Sequence, residues 1–384
     1  MSRASLRKTG FALLALAATA IAGAAQAQAQ GDIVIGAVYP LTGGVSYDGI
    51  TKLNGARVAI EEINASGGVL GRKLRLAAED GACNPNQSVA AAEKLITNEK
   101  VVALFGALCS SASGAVGETV KKHGLPMISG VSTAERLTEV GNPWFFRATT
   151  TTRINGLSLS QALLGDGKGK RVAFIVTSDD WGRSAAQAYG ASFEKLGATV
   201  VATEFFDRND TDMTIALTKI RAARPDAVFS VGGFQNAANV TMQARQLGLR
   251  VPVLGEGAFA TEPWAKLVGE FTGNVVGILE WVPGIDDAVN RKFVAAYQAA
   301  YKESATKFSA AGYNTVHILV DAIKRAGSTE PEAVRKALAA TDYTGLMGNY
   351  KFDAQGQAYN FNVFLVEWKN GQSTVLRSAQ IARQ

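Results

Sequence analysis

The sequence predicts an α/β fold of two doubly wound units in tandem, each a parallel sheet with helices on both faces. Three observations carry this. Short β-branched runs alternate with longer segments whose apolar residues recur every three or four positions. The alternation restarts after Arg147. The chain has 384 residues, too many for one ordinary core.

Each element follows from its own pattern. Ile33, Val34, Ile35, Ala37 and Val38 form the apolar run of a strand buried on both faces. A helix follows over 50–65, where Leu53, Ala56, Ile60 and Ile63 share one face and Gly67-Gly68 ends the pattern. Residues 73–78 alternate as a strand. Asn84-Pro85 opens a helix to 98, with Asn as cap and Pro in the first turn. Residues 101–105 read as a strand, 110–122 as a helix and 125–129 as a short strand. The second unit has helices over 153–164, 181–196, 214–223 and 235–247, with strands over 171–177, 199–206 and 227–231. A short strand over 251–254 gives way to a loop. An apolar segment over 275–281, helices over 289–301, 310–326 and 331–340, and a strand over 361–368 complete the chain. There is no solenoid period and no Pro/Ser-rich linker.

Residues 1–29 read as an export signal. Arg3, Arg7 and Lys8 precede an apolar run over 11–21, and Ala25-Gln26-Ala27-Gln28-Ala29 follows. The run is shorter than the roughly 20 residues that span a bilayer. No cysteine stands where a lipoprotein would need one. Cleavage near Ala27 or Ala29 and release into the periplasm are expected.

The formal net charge is +6, and Arg3, Arg7 and Lys8 belong to the signal. The remainder is mildly basic, without the clustered face that nucleic acid demands. Lys168-Gly169-Lys170-Arg171 reads as a solvated loop before a strand. Cys83 and Cys109 can pair in an oxidising compartment. Closing that loop adds about 3 kcal/mol in the chain-entropy picture; two buried free thiols are the alternative.

A search for catalytic chemistry finds none. His123 and His317 stand in no metal-ligand spacing. Gly182-Arg183-Ser184-Ala185-Ala186 lacks the last glycine of a nucleophile elbow. Neither a Walker loop nor a dinucleotide turn is present. No metal, cofactor or enzymatic activity is expected. Ligands of open α/β sheets sit at the carboxyl ends of strands. Those ends carry hydroxyls and glycines in the first unit, as in Cys109-Ser110-Ser111 and Gly130-Val131-Ser132-Thr133. In the second they carry Trp181, Phe234 and Glu256. The combination suits a small molecule with one anionic and one cationic end.

These residues resemble a family: the periplasmic solute-binding proteins of ABC importers, in the leucine/isoleucine/valine-binding group. The carrying segments are IGAVYPLTGGVSYDGITKLNGARVAIEEINASGGVLGRKL, EDGACNPNQSVAAAEKLI, GALCSSASGAVGE, PMISGVSTAERLT and SDDWGRS. The likeness runs over 33–368, and the paired cysteines fit it. It implies a type I periplasmic-binding fold whose two lobes are joined by a three-strand hinge, crossing near 148–152, 280–284 and 352–357. The amino-terminal lobe would be 30–150 plus 283–354; the carboxy-terminal lobe would be 151–282 plus 355–384. The lobes would close on ligand by hinge motion.

The resemblance also implies roles. Ser110, directly after Cys109, matches the serine that binds the ligand carboxylate, with Ser111 and the helix-start N–H groups beside it. Thr133 matches the threonine that meets the ligand ammonium, with Val131 and Ser132 in the same turn. Glu256 matches the acid that pairs with the amine. Trp181 stands where many members carry Tyr, Phe234 fills another aromatic position, and Tyr47 covers the cleft from the first lobe. The expected function is capture of a branched-chain or other hydrophobic or aromatic amino acid by a monomer. Delivery would be to an inner-membrane permease and its ATPase. Aromatic carboxylates, amides or urea are alternative ligands, and ligand sensing is an alternative role.

Overall fold

The structure, a computed structural model, describes residues 31–383. The export signal read at 1–29 lies outside the described residues. The first unit begins β1 (Ile33–Tyr39), α1 (Ser46–Ala65), β2 (Leu74–Asp80), α2 (Pro85–Thr97), β3 (Leu104–Phe105), α3 (Ser110–His123), β4 (Met127–Ser129), α4 (Arg136–Glu139) and β5 (Phe145–Arg147). Its sheet runs β2-β1-β3-β4-β5, parallel throughout. β1 is apolar along its length because both faces are covered. Helix α1 starts four residues earlier than its apolar face suggests, at Ser46, so Tyr47 and Asp48 lie in its first turn.

The second unit continues with α5 (Thr152–Leu164), β6 (Arg171–Thr177), α6 (Asp180–Lys195), β7 (Thr199–Phe206), α7 (Thr214–Ala222), β8 (Ala227–Gly232), α8 (Phe234–Gln246), β9 (Val253–Gly257), α9 (Glu262–Val268) and β10 (Val275–Leu279). Then come α10 (Ala288–Tyr301), α11 (Lys307–Ala326) and α12 (Pro331–Ala339). Helices α10 and α11 pack back on α1. The tail adds β11 (Asp342–Gly345), β12 (Gly348–Phe352), β13 (Ala358–Lys369) and β14 (Gln372–Gln380).

The second sheet runs β11-β12-β13-β10-β9-β8-β6-β7, and β14 pairs with β13. Strands β6 to β10 are parallel, whereas β11 to β14 join antiparallel. Its core is aromatic: Tyr189 lies 4.2 Å from Phe229 between ring centroids, and Phe174 and Phe193 complete the cluster.

Two expectations are corrected. Residues 255–257 are strand and not loop, because β9 stays paired with β8 and β10 up to Glu256 and with β8 through Gly257. A Cβ on Gly257 would lie 2.2 Å from the Gly232 carbonyl oxygen, and its φ is +115°. The glycines beside Glu256 thus serve close strand packing and an unusual backbone angle. Helix α11 begins at Lys307 and not at 310, since the Thr306 N–H donates to Ser309 Oγ at 2.8 Å.

Cys83 and Cys109 are disulfide-bonded, with Cα atoms 5.5 Å apart. The bond joins the entry of α2 to the entry of α3, directly before Ser110.

Candidate functional site

A cavity lies where the strand ends of the two units face each other. From the first unit Asp48, Leu108, Ser110, Val131 and Thr133 line it, with Lys307 and Phe308 of α11. Trp181, Arg208, Gly233, Glu256 and Gly257 line it from the second. Each follows or ends a strand, or opens a helix, as the topology of open parallel sheets requires. The units touch across it, leaving about 20 Å³ open, room for about one water. A larger hollow of about 480 Å³ lies on the far side of Lys307, against α9 and Trp281. The smaller cavity is the candidate site, because charged and polar groups of both units converge there.

Glu256 is the centre of that convergence. Its side chain is buried on β9. Oε1 accepts from Thr133 Oγ1 across the cleft at 3.1 Å and from Trp181 Nε1 at 3.1 Å. Oε2 accepts from Tyr189 Oη at 2.9 Å. Burial and the neighbouring Glu280 push its pKa up, opposed by Lys307 and by the Trp181 and Tyr189 hydrogen bonds.

Trp181 is set by the start of α6, where Asp179 caps the Gly182 N–H at 3.2 Å. The Arg208 guanidinium pairs with Asp179 and lies 5.2 Å from the Trp181 ring centroid. Arg208 thus fixes the indole and is itself neutralised. Lys307 is buried too, its Nζ 2.7 Å from Glu280 Oε2. Such a pair is costly to break, because one removed partner leaves a buried charge.

Asp48 ties the units together from α1. Its Oδ2 accepts the N–H of Phe234, the first residue of α8, at 3.0 Å. Gly233, the residue before α8, offers no side-chain cap, so a carboxylate of the other unit caps this helix. A Cβ at Gly233 would lie 2.7 Å from Asp48 Oδ2, which is why glycine stands there. Burial pushes the Asp48 carboxyl up to about 7, opposed by the Phe234 N–H, Lys307 and Arg208. Asp48 Oδ1 is buried with no hydrogen-bond partner among the described residues.

The predicted residues divide. Ser110, Val131, Thr133, Trp181 and Glu256 line the cavity together. Ser110 sits at the start of α3, and its Oγ accepts the Ala134 N–H at 3.3 Å. Tyr47 and Phe234 stack across the units with centroids 4.2 Å apart, beside the cavity and not in its wall. Ser132 is buried with its Oγ bonded to Leu108 O at 2.9 Å and Ser113 Oγ at 2.7 Å. Ser111 lines a neighbouring groove beside Cys83 and Asp179. Asp48, Arg208, Lys307, Phe308 and Tyr189 were not among the expected residues. Asp48 adjoins Tyr47, and Arg208 follows strand β7, so position alone signalled those two. No three His, Cys, Asp or Glu side chains cluster as metal ligands among the described residues.

Two facing α/β units with a polar cleft at the ends of their parallel strands define a bilobed solute-binding protein. Residues 32–373 match the family described as periplasmic binding protein, and the chain belongs to that family. The leucine-, isoleucine-, valine-, threonine-, and alanine-binding protein of Pseudomonas aeruginosa is 29% identical over 92% of this chain and 94% of its own length. An amino acid binding protein of the same organism is 30% identical over 96% and 97%. The branched-chain amino acid transporter substrate-binding protein of Streptococcus pneumoniae, solved with isoleucine, superposes with a TM-score of 0.82. It is 27% identical, covering 91% of this chain and 99% of that one.

Proposed function

We propose that this chain is the exported solute-binding component of an ABC importer, taking an amino acid into the cleft and handing it to a membrane permease driven by its ATPase. It carries out no chemistry. Export to the periplasm rests on the signal pattern of residues 1–29. The lobes are 30–150 plus 283–354 and 151–282 plus 355–384, and they close around the ligand as a monomer. Ser110 and the first N–H groups of α3 hold the ligand carboxylate. Thr133, the Val131 carbonyl and Glu256 hold the amine. Trp181 encloses the side chain, with the Tyr47–Phe234 stack behind it.

The observation that carries this reading is Glu256, a buried carboxylate reached by donors from both units in one cleft. Glu256→Gln should weaken an amino-acid ligand by more than about tenfold in calorimetry. Unchanged affinity would remove Glu256 from the amine.

One observation favours a second reading. Glu256 already receives three protein hydrogen bonds, which leaves it able to act as a strut between lobes while a carboxylate without an amine occupies the cleft. A thermal-shift screen on refolded, ligand-stripped protein separates the two. A ligand at 100 times its Kd stabilises by about 2.7 kcal/mol. Hits confined to amino acids support the first reading; hits on benzoate and its hydroxylated relatives support the second.

A further inference from the structure

We propose that Asp48 determines specificity in this cleft: its free carboxylate oxygen receives an O–H or N–H carried by the ligand's side chain. The cleft would then select amino acids with such a donor over aliphatic ones of the same shape. This rests on the amino-acid reading above and narrows it.

The carboxylate is 1% exposed and lines the cavity. Its two oxygens differ. Oδ2 is held by the Phe234 N–H at the start of α8. Oδ1 has no partner among the described residues. A buried acceptor without a donor is unfavourable, and no side chain around it is hydrogen-bonded to it. Lys307 is held by Glu280 at 2.7 Å, and Arg208 by Asp179 through Nε. The hydroxyls of Thr133 and Tyr189 and the indole N–H of Trp181 are directed at Glu256. Lys307 and the Arg208 Nε are each paired with a carboxylate outside the cavity wall. Arg208 Nη2 is buried without a partner among the described residues, so the cavity wall holds one unpaired donor beside the unpaired Asp48 Oδ1, and the two are not hydrogen-bonded to each other. Glu256 is satisfied; Asp48 is half satisfied. A ligand that donates to Oδ1 completes it, whereas an aliphatic side chain seals it away from water unpaired. Burial raises the Asp48 carboxyl to about 7, consistent with a group that lacks a compensating donor.

The test is calorimetry of the stripped wild-type protein with pairs of similar shape: threonine against valine, asparagine against leucine, glutamine against methionine. Benzoate is run beside them. In each pair that binds, the donor-bearing member should bind about tenfold tighter or more. Asp48→Ala removes the acceptor and puts no donor in its place, whereas an Asn N–H₂ could still donate to the hydroxyl or carboxamide of these ligands. Asp48→Ala should cut the preference within a pair to less than about threefold. A purely structural role would instead weaken both members of a pair alike. If aliphatic amino acids bind as well as or better than their donor-bearing partners, the inference about Asp48 fails and the amino-acid reading stands. If benzoate binds and no amino acid does, both fail.

Discussion

Lys52 is fully buried on α1, with its Nζ 5.0 Å from the Tyr39 ring centroid and no hydrogen-bond partner among the described residues. Burial brings its pKa down to about 7. In the unfolded chain a lysine titrates near about 10.4, so between these values the unfolded state binds more protons. Stability should therefore rise as pH climbs from 7 to 10, with the full penalty present below 7. Lys52→Met should flatten that rise and stabilise the protein at pH 6 by about 1–3 kcal/mol. Parallel pH profiles for the two proteins would sink this account. Lys52 also shows what sequence patterning misses at this scale: it occupies a core position of a helix whose apolar face is read from Leu53, Ala56, Ile60 and Ile63. Ser110, Thr133, Trp181 and Glu256 were legible because each follows or ends a strand, where the topology places ligands. Asp48 was signalled only by its place beside Tyr47, and Lys307 not at all, because both sit in first helical turns whose starts lie before the apolar periodicity begins.

The disulfide acts on elements. It pins the entry of α3, and with it Ser110, to the entry of α2. Replacing both Cys83 and Cys109 by Ser should cost about 3 kcal/mol in denaturant unfolding; an unchanged midpoint would show that the loop is ordered without it. The strands that could be read, such as β6 and β8, are continuous apolar runs because both faces are buried. β14 gave no such signal: QSTVLRSAQ is mostly exposed and pairs only with β13 at the rim of its sheet. β11 and β12 are short and partly solvated for the same reason. The end of β9 was hidden by Gly255 and Gly257, which resemble turn residues in sequence and are packing residues in the fold.

At the scale of the molecule, the chain leaves the first sheet after β5, and α10 and α11 return to pack on α1 before β11 to β14 rejoin the second sheet. The departure after β5 is tied to the segment before β13 by one buried side chain. Arg147 donates from Nε to Gln357 Oε1 at 2.5 Å, from Nη1 to Ala134 O at 2.5 Å and from Nη2 to Thr138 Oγ1 at 2.6 Å. Gln357 in turn donates to Thr149 O at 2.7 Å. Tandem α/β units were legible from the restart after Arg147, but how often the chain crosses was not. A crossing depends on which distant strands pair, and no local periodicity encodes that. The bond between Asp48 and the Phe234 N–H has a use at this same scale. An amide in the first turn of a helix has no partner within that helix, so the exchange of this one proton with solvent deuterium is governed by whether the opposite lobe is in place. Phe234 is thus a built-in clock for opening. Its exchange should slow on saturation with a ligand that shuts the cleft, while amides in the middle of α8 keep their pace, and the ratio of its two rates would count how often the empty protein opens.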